Sequence, residues 1–407
     1  MARLDVQPGT PQITRENQQQ MVAVTAGLDG RDLGSAVKDV QARLAKGLHL
    51  PNGYRIEYGG LYASQQQSFQ QLAFVLTSAL SLSAFVPAGA AAPTYHLLKK
   101  ISLPGVGGWD YLTIDSQARR LYIARSTHVT VVNIDSGTVA GDIPDTNGVH
   151  GIAIDRAANR GFTSNGRANT VTIFDLKTLK KINEVAVGDG PDAILFDPAT
   201  GRVFTFNGRG QTATAIDAAT GKVVGTIALP GRPEFPVTDG KGHLYDNLED
   251  KSEIVSLNSR TLKVDNVWPL APGDSPSGLA MDVKGRQLFS VCDNQKMTVV
   301  DADTGKVVAT PTIGNGPDAC AFDPLTKLVF SPNGQDGTLT VIKQVSLDQY
   351  RTVGVVTTQI GARTMALDPK THHVFTVTAA ALPAAPGDNP RRRSYVPDSF
   401  VVLEYGE

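Results

Sequence analysis

The sequence lacks the features that mark several classes of protein. Only two cysteines occur among 407 residues and no CxxC is present, which excludes a disulfide-rich scaffold. There is no excess of positive charge, with 38 lysines and arginines against 39 aspartates and glutamates, so nucleic acid is not favoured as a partner. The HExxH, GxSxG and Walker motifs are missing as well, so these common catalytic signatures do not apply.

Glycine and proline, in contrast, are plentiful. The chain holds 40 glycines and 24 prolines, more than the share of about 12% that the two residues take in average proteins. Such a composition predicts many tight turns and few long helices. Hydrophobic residues make up 41% of the chain, which argues against disorder over most of its length.

A sequence unit recurs seven times from about residue 105 onward. Each unit begins with an apolar run that ends in an aspartate, and these repeated aspartates follow one another at intervals of 40 to 45 residues. They are Asp115, Asp155, Asp197, Asp239, Asp282, Asp323 and Asp368. Further runs with period-2 alternation follow in each unit, separated by turns. Four short strands per unit of this length are typical of a propeller blade, so the sequence predicts an all-β fold, a seven-bladed β-propeller of four-stranded blades.

The two ends of the repeat region predict how the ring closes. The last unit has only three strands, and a spare strand at residues 95–103 precedes the first unit. Pairing residues 400–405 with residues 95–103 would join the ends and remove an open sheet edge. A linear solenoid is the alternative, but the displaced strand favours a ring.

The chain before the repeats has a different character. Residues 30–48 have apolar positions at helical spacing, with Asp32 placed to cap the helix. Residues 21–26 and 54–58 are predicted to be strands. The sequence therefore predicts a small α+β segment over residues 1–71, an apolar segment or linker over 72–92 and the propeller over 93–407.

The repeated units resemble the YVTN-repeat seven-bladed β-propellers. The resemblance lies in GPDAILFDPATGRVFTFNG at 190–208 and GPDACAFDPLTKLVFSPNG at 316–334, and it extends over residues 93–407. The Tyr-Val-Thr-Asn motif is degenerate here, as FTSN, FTFN and FSPN. The resemblance implies the fold and a periplasmic or extracellular location, but its motif residues build turns and strand ends, so it implies no chemistry.

Residues 1–80 resemble a fragment of a heavy-metal efflux pump of the resistance-nodulation-division class. TPQITRENQQQMVAVTAGLDGRDLGSAVKDVQ and LPNGYRIEYGGLYASQQQSFQQLAFVL carry this resemblance. In that family the segment would belong to a periplasmic docking subdomain that leads into a transmembrane helix. The ion-relay carboxylates of the pump are absent, so transport is not implied, and a fusion or a start codon assigned too far upstream is expected.

The segment LAFVLTSALSLSAFVPAGAAA at 72–92 allows three interpretations. It is favoured as a signal-like segment, with an apolar core and a small-residue exit, whose cleavage would release the chain from residue 92 or 93. A membrane anchor and a passive linker are the alternatives. Membrane contact is expected only if the segment is not cleaved.

Aligning the units on the repeated aspartates predicts a ring of side chains at one end of the central channel. The residues five positions before each aspartate are Asp110, His150, Asp192, Glu234, Ser277, Asp318 and Arg363. We expect them where each innermost strand begins, around the channel mouth. Asp110, His150, Asp192 and Asp318 are therefore candidate ligands of a divalent cation. The alternative is a set of turn residues that bond nearby backbone groups.

A second set of polar residues follows the second strand of each unit, on the same predicted face. Its members are Arg125, Asn165, Arg167, Asn207, Arg209, Glu249, Asp293, Asn333 and Gln335. Together with Arg363 of the first ring, the arginines of this set fall on units one to three and seven. This uneven distribution predicts a face with one electropositive side, which would orient an anionic or zwitterionic ligand. Trp109 is a candidate stacking platform at the mouth, with core burial as the alternative. Solvated charges and simple Asn-Gly turns are the alternative interpretation of the rest.

Two further features of the sequence each allow two interpretations. An insert at residues 379–397 interrupts the seventh unit on the same face, and its arginines at 391–393 with Tyr395 could hold a phosphate, although solvated arginines are the simpler expectation. Cys292 and Cys320 fall in neighbouring units, so either a disulfide or two buried thiols is possible.

These patterns predict an exported module that binds a small molecule or a protein through its channel-mouth face. The first alternative is a metal-assisted hydrolase or lactonase that uses the acidic residues and His150, with Arg363 steadying an anion. The second alternative is a scaffold with no ligand.

Overall fold

The computed structural model describes residues 14–16, 19–21, 33–51, 56, 58, 94–105, 108–382 and 395–407. The chain divides into two compact units, Met1–Ala91 and Ala92–Glu407. The two cysteines, Cys292 and Cys320, are both buried as free thiols.

The described residues of the first unit form one helix and a pair of short strands. Helix α1 spans Leu33–Gly47, inside the predicted range, with Lys46 in its last turn, where a cation complements the helix dipole. Strands β1 (Thr14–Glu16) and β2 (Gln19–Met21) pair antiparallel. Apart from Met21 and positions 56 and 58, the two predicted strands lie outside the described residues, as do Asp32 and the apolar segment at 72–92. Within the described residues, no helix is both long enough and apolar enough to cross a membrane.

The second unit is the predicted propeller, built of seven four-stranded antiparallel sheets. Each of the first six blades uses four consecutive strands. Blades one to three comprise β4 (Leu112–Asp115), β5 (Arg120–Ala124), β6 (Val129–Asn133) and β7 (Thr138–Ile143); β8 (Val149–Asp155), β9 (Arg160–Asn165), β10 (Thr170–Asp175) and β11 (Lys181–Ala186); β12 (Pro191–Asp197), β13 (Arg202–Asn207), β14 (Thr212–Asp217) and β15 (Lys222–Ala228). Blades four to six comprise β16 (Pro233–Thr238), β17 (His243–Leu248), β18 (Glu253–Asn258) and β19 (Lys263–Pro269); β20 (Pro276–Asp282), β21 (Gln287–Cys292), β22 (Lys296–Asp301) and β23 (Val307–Ala309); β24 (Ala321–Asp323), β25 (Leu328–Asn333), β26 (Thr338–Gln344) and β27 (Tyr350–Thr357).

The seventh blade confirms the predicted closure. Its strands β28 (Met365–Leu367), β29 (Val374–Thr378) and β30 (Val401–Gly406) come from the C-terminal end, and β3 (His96–Ser102) completes the sheet from the other end of the repeat region. Strands β3 and β30 pair antiparallel from His96↔Gly406 to Ser102↔Val401. The sheet edge that β30 would otherwise expose is thereby covered.

Apolar residues on the middle strands form the core between blades. The middle strands are almost wholly buried, as in β9 and β10, whereas the outermost strand β11 is largely exposed. The outermost strand therefore carries charged residues such as Lys181 and Glu184, which form an ion pair on the surface. Side-chain exposure thus increases from the middle strands to the outermost strand of each blade. Near the axis, the polar positions are the starts of the innermost strands.

A belt of charged pairs links neighbouring blades on the face opposite the channel mouth. In four of the seven blades, the residue four positions after a repeated aspartate bonds the repeated aspartate of the preceding blade. The pairs are Arg119 with Asp368, Arg286 with Asp239 (3.2 Å), Lys327 with Asp282 (3.3 Å) and His372 with Asp323 (2.6 Å). These four partners also share a left-handed backbone, with φ between 55° and 64°. The repeated aspartates therefore hold the ring together as well as closing local turns.

Candidate functional site

The seven predicted ring residues lie at the starts of the innermost strands. His150, Asp192, Glu234 and Ser277 are the second residues of β8, β12, β16 and β20, and each of these strands carries a register shift near its start. Asp110, Asp318 and Arg363 lie two or three residues ahead of β4, β24 and β28. Because a regular ladder begins only after these positions, their side chains lie in irregular backbone beside the axis.

Three of the ring residues meet at the mouth. His150 Nδ1 lies 2.5 Å from Asp110 Oδ2 and 3.4 Å from Asp192 Oδ1. One donor atom from each of the three side chains falls within 4.8 Å of the others. The side chains are between 21% and 36% exposed, so the cluster is accessible from the mouth.

A second contact, between Arg363 and Asp318, completes the rim on the far side of Asp110. Arg363 Nε donates to Asp318 Oδ2 at 2.7 Å, and one of its terminal nitrogens donates to the Trp109 carbonyl at 3.1 Å. The same end of Arg363 is 3.9 Å from Asp110 Oδ1. The guanidinium is therefore held in place by carboxylate and backbone acceptors.

Two aromatic side chains cross the axis below this rim. The Tyr111 hydroxyl in blade one donates to the Glu234 carbonyl in blade four at 3.2 Å, and it lies 3.4 Å from Glu234 Oε1. The rings of Tyr111 and Phe235 meet edge to face with centroids 5.0 Å apart. We call the resulting space the acidic cup: its sides are Asp110, His150, Asp192, Glu234, Asp318 and Arg363, and its floor is Tyr111 and Phe235.

Burial and mutual repulsion disfavour the ionised form of carboxyl groups in the acidic cup. Burial raises the pKa of Asp192 to about 7, and the charges of Asp110 and Asp318 add to the shift against the opposing charge of His150. Burial and neighbouring carboxylates likewise hold the pKa of Glu234 well above its usual range. Carboxyl groups that resist ionisation because of their neighbours are those a bound cation would stabilise.

The two basic groups of the cup, His150 and Arg363, favour the ionised form of the carboxyl groups beside them. Burial disfavours the charged form of His150, but the hydrogen bond with Asp110 and the charge of Asp192 outweigh it and raise the pKa to about 9. Burial raises the pKa of Asp318 to about 6, although Arg363 opposes that shift. His150 and Arg363 are thus charged partners of carboxylates that outnumber them.

Asp246 lies behind the cup, between blades three and four. It is fully buried, and neither carboxyl oxygen makes a hydrogen bond within normal distance and angle limits. Burial holds its pKa well above the usual range; the nearby Glu234 backbone amide offsets this only in part, and the charge of Asp192 adds to it. Burial therefore favours the protonated form of Asp246 next to the cup.

The predicted second set does not converge on the acidic cup. Asn165, Asn207 and Asn333 are fully buried, and each bonds hydroxyl groups inside its own blade. For example, Asn207 Nδ2 donates to Thr212 and Thr214 at 3.0 Å, while Asn207 Oδ1 accepts from Thr205 at 3.1 Å. With their polar atoms used in this way, the asparagines hold strands together and present nothing to the mouth.

The arginines of the second set are dispersed. Arg125 is only 2% exposed, its guanidinium stacks 3.7 Å from the Phe400 ring centroid, and its Nε has no acceptor. Arg209 is exposed and bonds Asp189 at 3.0 Å and the Gly166 carbonyl at 2.9 Å. Arg167 is near enough to His150 to oppose its protonation. The predicted electropositive side of the face is therefore mostly occupied by internal partners.

Trp109 and Glu249 lie beside the cup in different ways. Trp109 is 5% exposed and packs against Tyr395 and Phe400 at centroid distances of 4.8 and 5.5 Å. It is therefore a core residue rather than an open stacking surface. Glu249 pairs with Arg232, and its charge helps to raise the pKa of Asp192. Of the insert, the arginines at 391–393 lie outside the described residues.

Tyr111, Phe235 and Asp246 are the site residues that the sequence analysis missed. Tyr111 and Phe235 each follow a ring position directly, which is the one signal in the sequence that could have identified them. Asp246 replaces the Thr, Ser or Ile found at the equivalent position of the other blades, so alignment of the second strands would have singled it out.

Comparison with protein families shows what the first part of the chain is similar to. A family model described as the AcrB/AcrD/AcrF family matches residues 1–88. A nickel and cobalt resistance protein of Cupriavidus metallidurans is 37% identical over 103 residues, which is 25% of this chain and 10% of that protein. A cobalt-zinc-cadmium resistance protein of the same organism is 34% identical over 82 residues, 20% of this chain and 8% of that protein. The chain thus spans a tenth or less of these relatives, and the predicted similarity of its first segment to efflux pumps is confirmed.

Comparison with solved structures concerns the larger unit. A chain of hydrazine synthase from Kuenenia stuttgartiensis superimposes with a TM-score of 0.60 at 17% identity, covering 67% of this chain and 92% of that chain. At this level of identity the likeness shows the fold alone.

Proposed function

We propose that the protein is an exported propeller of the YVTN-repeat type that binds a cationic ligand in the acidic cup. The observation that carries this proposal is the convergence of four carboxyl side chains in the acidic cup. The basic residues of the cup that pair with them are two, His150 and Arg363. Burial raises the pKa of Asp192 and Glu234, and neighbouring carboxylates add to the shift, so a cation entering the cup would stabilise the charged forms of both groups.

The charge of the proposed ligand differs from the one expected from sequence. Two of the arginines that suggested an anionic or zwitterionic ligand have partners elsewhere: Arg209 bonds Asp189, and Arg125 stacks on Phe400. A third, Arg363, is paired with the carboxylate of Asp318 on the rim. The negative groups, by contrast, face the axis. A cation is therefore the ligand that the cup favours.

A thermal-shift survey of the full chain tests this proposal. We expect spermidine to raise the melting temperature in a concentration-dependent way, because a ligand that binds only the folded state stabilises it, whereas phosphate and acetate should not. The double variant Glu234→Gln, Asp318→Asn should lose the response. Asp189→Asn is the matched control, because that carboxylate is exposed and pairs with Arg209 outside the cup. Stabilisation by anions alone, or an unchanged response of the double variant, would overturn the proposal.

The proposed location outside the cytoplasm rests on the repeat and on the apolar segment at 72–92. If that segment is removed during export, the intact mass of the exported protein will correspond to a chain that begins near residue 93. An exported protein that retains Met1 would contradict cleavage and leave the membrane-anchor and linker alternatives.

The second candidate function is a metal-assisted hydrolase, which the cluster of Asp110, His150 and Asp192 favours. A bound metal could activate a water molecule at this rim. This candidate requires turnover of a lactone or ester substrate that depends on added metal and is lost in Asp192→Asn. Binding without turnover would leave the binding module as the function.

A further inference from the structure

We infer that Asp110, His150 and Asp192 form a binding site for a single divalent transition-metal ion on the rim of the acidic cup. The inference rests on the proposed function and deepens it, since it names the class of cation and the atoms that hold it. The donor set is one imidazole nitrogen and two carboxylate oxygens, all from side chains that open toward the mouth.

The spacing of the donor atoms suits such an ion. Zinc lies about 2.0–2.2 Å from nitrogen and oxygen ligands, so tetrahedral ligands are roughly 3.3 Å apart. Asp192 Oδ1 is 3.4 Å from His150 Nδ1, which is already this separation. Asp110 Oδ2, at 2.5 Å, would have to withdraw by less than about 1 Å as the metal replaces the shared proton.

The chemistry of the donors selects the class of metal. Carboxylates alone would favour calcium or magnesium, whereas an imidazole suits zinc, copper, iron and nickel. Three protein ligands leave at least one coordination position for water or a second ligand, as in open metal sites. The cup therefore provides for a transition metal with an accessible position.

The backbone around the three ligands is held by specific contacts. The Ser164 hydroxyl bonds the Asp192 carbonyl and accepts the Gly151 amide at 2.9 Å, so one side chain joins the strands that carry His150 and Asp192. Thr364 donates to the Asp110 carbonyl at 2.9 Å. Outer contacts of this kind fix the orientation of metal ligands.

Gly166 supplies the room for the imidazole. A Cβ atom at this position would lie 2.8 Å from His150 Cδ2 and Nε2. Any larger residue would push the ring away from its two carboxylates. The glycine is thus a positioning residue for His150, and Gly166→Ala should weaken metal binding without removing a ligand.

Asp246 is a second and separate observation that this region is short of positive charge. Neither oxygen of this fully buried carboxyl group makes a hydrogen bond within normal distance and angle limits, and the nearby Glu234 backbone amide offsets the cost of burial only in part. In an ordinary ion-pair network, a buried carboxyl group has a basic side chain or a hydrogen-bond donor beside it.

Equilibrium dialysis of the full chain against Co²⁺, Ni²⁺ and Zn²⁺ tests the inference. We expect one tightly bound ion per chain, with affinity at least about 100-fold lower in His150→Gln and in Asp192→Asn, because each removes a direct ligand. His372→Gln is the matched control: His372 also pairs with a carboxylate, Asp323 at 2.6 Å, but it belongs to the belt on the opposite face. Its binding should equal that of the parent protein.

A further variant keeps the test valid if a substitution harms folding. His150→Cys replaces the imidazole by a thiolate, so the cobalt-loaded protein should gain a thiolate-to-cobalt charge-transfer band that the parent protein lacks. Absence of that band, equal binding by His150→Gln, or no metal binding at all would overturn the inference. If spermidine still stabilises the chain in any of these cases, the proposed function stands while the metal site falls.

Discussion

Single residues inside the blades do structural work that their sequence context conceals. Asn333 illustrates this: it is the last residue of β25 and precedes a glycine, as a turn residue would, yet it is fully buried. Its amide nitrogen donates to Thr338 at 3.0 Å and Thr340 at 2.8 Å, and its oxygen accepts from Ser331 at 3.1 Å. The second and third strands of blade six are therefore joined through side chains as well as through the backbone.

Asn333→Ala should lower the free energy of unfolding by about 1–3 kcal/mol, because it leaves buried hydroxyls without partners. Chemical denaturation of the full chain measures this. Asn183→Ala is the control, since Asn183 lies on the exposed outer strand of blade two and its removal should change stability by less than about 0.5 kcal/mol. Equal effects at the two positions would contradict the proposed role of Asn333 in joining the second and third strands of blade six.

Asp246 gives a residue-scale prediction about pH. Its pKa in the folded protein is well above that of the unfolded chain, so the folded state holds a proton that the unfolded state releases. Stability is therefore lost as the pH rises above the unfolded pKa and toward the folded one. Asp246→Asn should stabilise the protein more at pH 8 than at pH 4, as measured by denaturant titration. A difference that is the same at both pH values would show that Asp246 is ionised in the fold.

The closing strand shows how one element secures the ring. In β3, Ile101 is buried in the core shared by blades seven and one, whereas Leu97 is 47% exposed. Ile101→Ala should therefore cost about 2–5 kcal/mol of stability by removing buried methyl groups and leaving a cavity. Leu97→Ala is the exposed control and should cost little. If both variants melted alike, β3 would not be the strand that seals the propeller.

Elements were the part of the molecule that the sequence predicted best. Seven aspartates at intervals of 40 to 45 residues fix the number of blades, and the displaced strand before the first unit identifies the partner of β30. The channel-mouth ring followed because equivalent positions of a repeat occupy equivalent places around an axis.

Contacts across the axis could not be predicted in this way. Tyr111 bonds Glu234 over a separation of 123 residues, between blades that are not neighbours, and a repeat pattern describes only neighbouring units. The burial of Arg125 under Phe400 likewise depends on which side chains fill the seam between the two ends of the ring. The sequence showed the types and the spacing of the polar residues, whereas the residues that they contact could be found only from the packed structure.

At the scale of the whole molecule, the belt of repeated aspartates sets the response to acid. Hydrogen bonds with neighbouring groups lower the pKa of Asp239, Asp323 and Asp368 in spite of burial. Groups with a lowered folded pKa stabilise the protein above the unfolded pKa, near 4, and this contribution is lost as the pH falls through the folded values.

The melting temperature should therefore fall steeply below about pH 4. Asp368→Asn, which removes the charge that Arg119 binds at the seam of the ring, should lower stability at pH 7 and flatten the acid limb of the curve. A variant that follows the parent curve at every pH would show that the belt contributes nothing to closure.

The proposed function and the proposed metal site both require the acidic cup to bind a cation at one end of a closed ring. The most direct test is a crystal structure of the full chain loaded with Co²⁺, with anomalous scattering recorded at the cobalt edge. We predict a peak about 2.0–2.2 Å from His150 Nδ1 and from a carboxylate oxygen of Asp110 and of Asp192. A map from fully loaded protein with cobalt only at other positions would contradict the central claim.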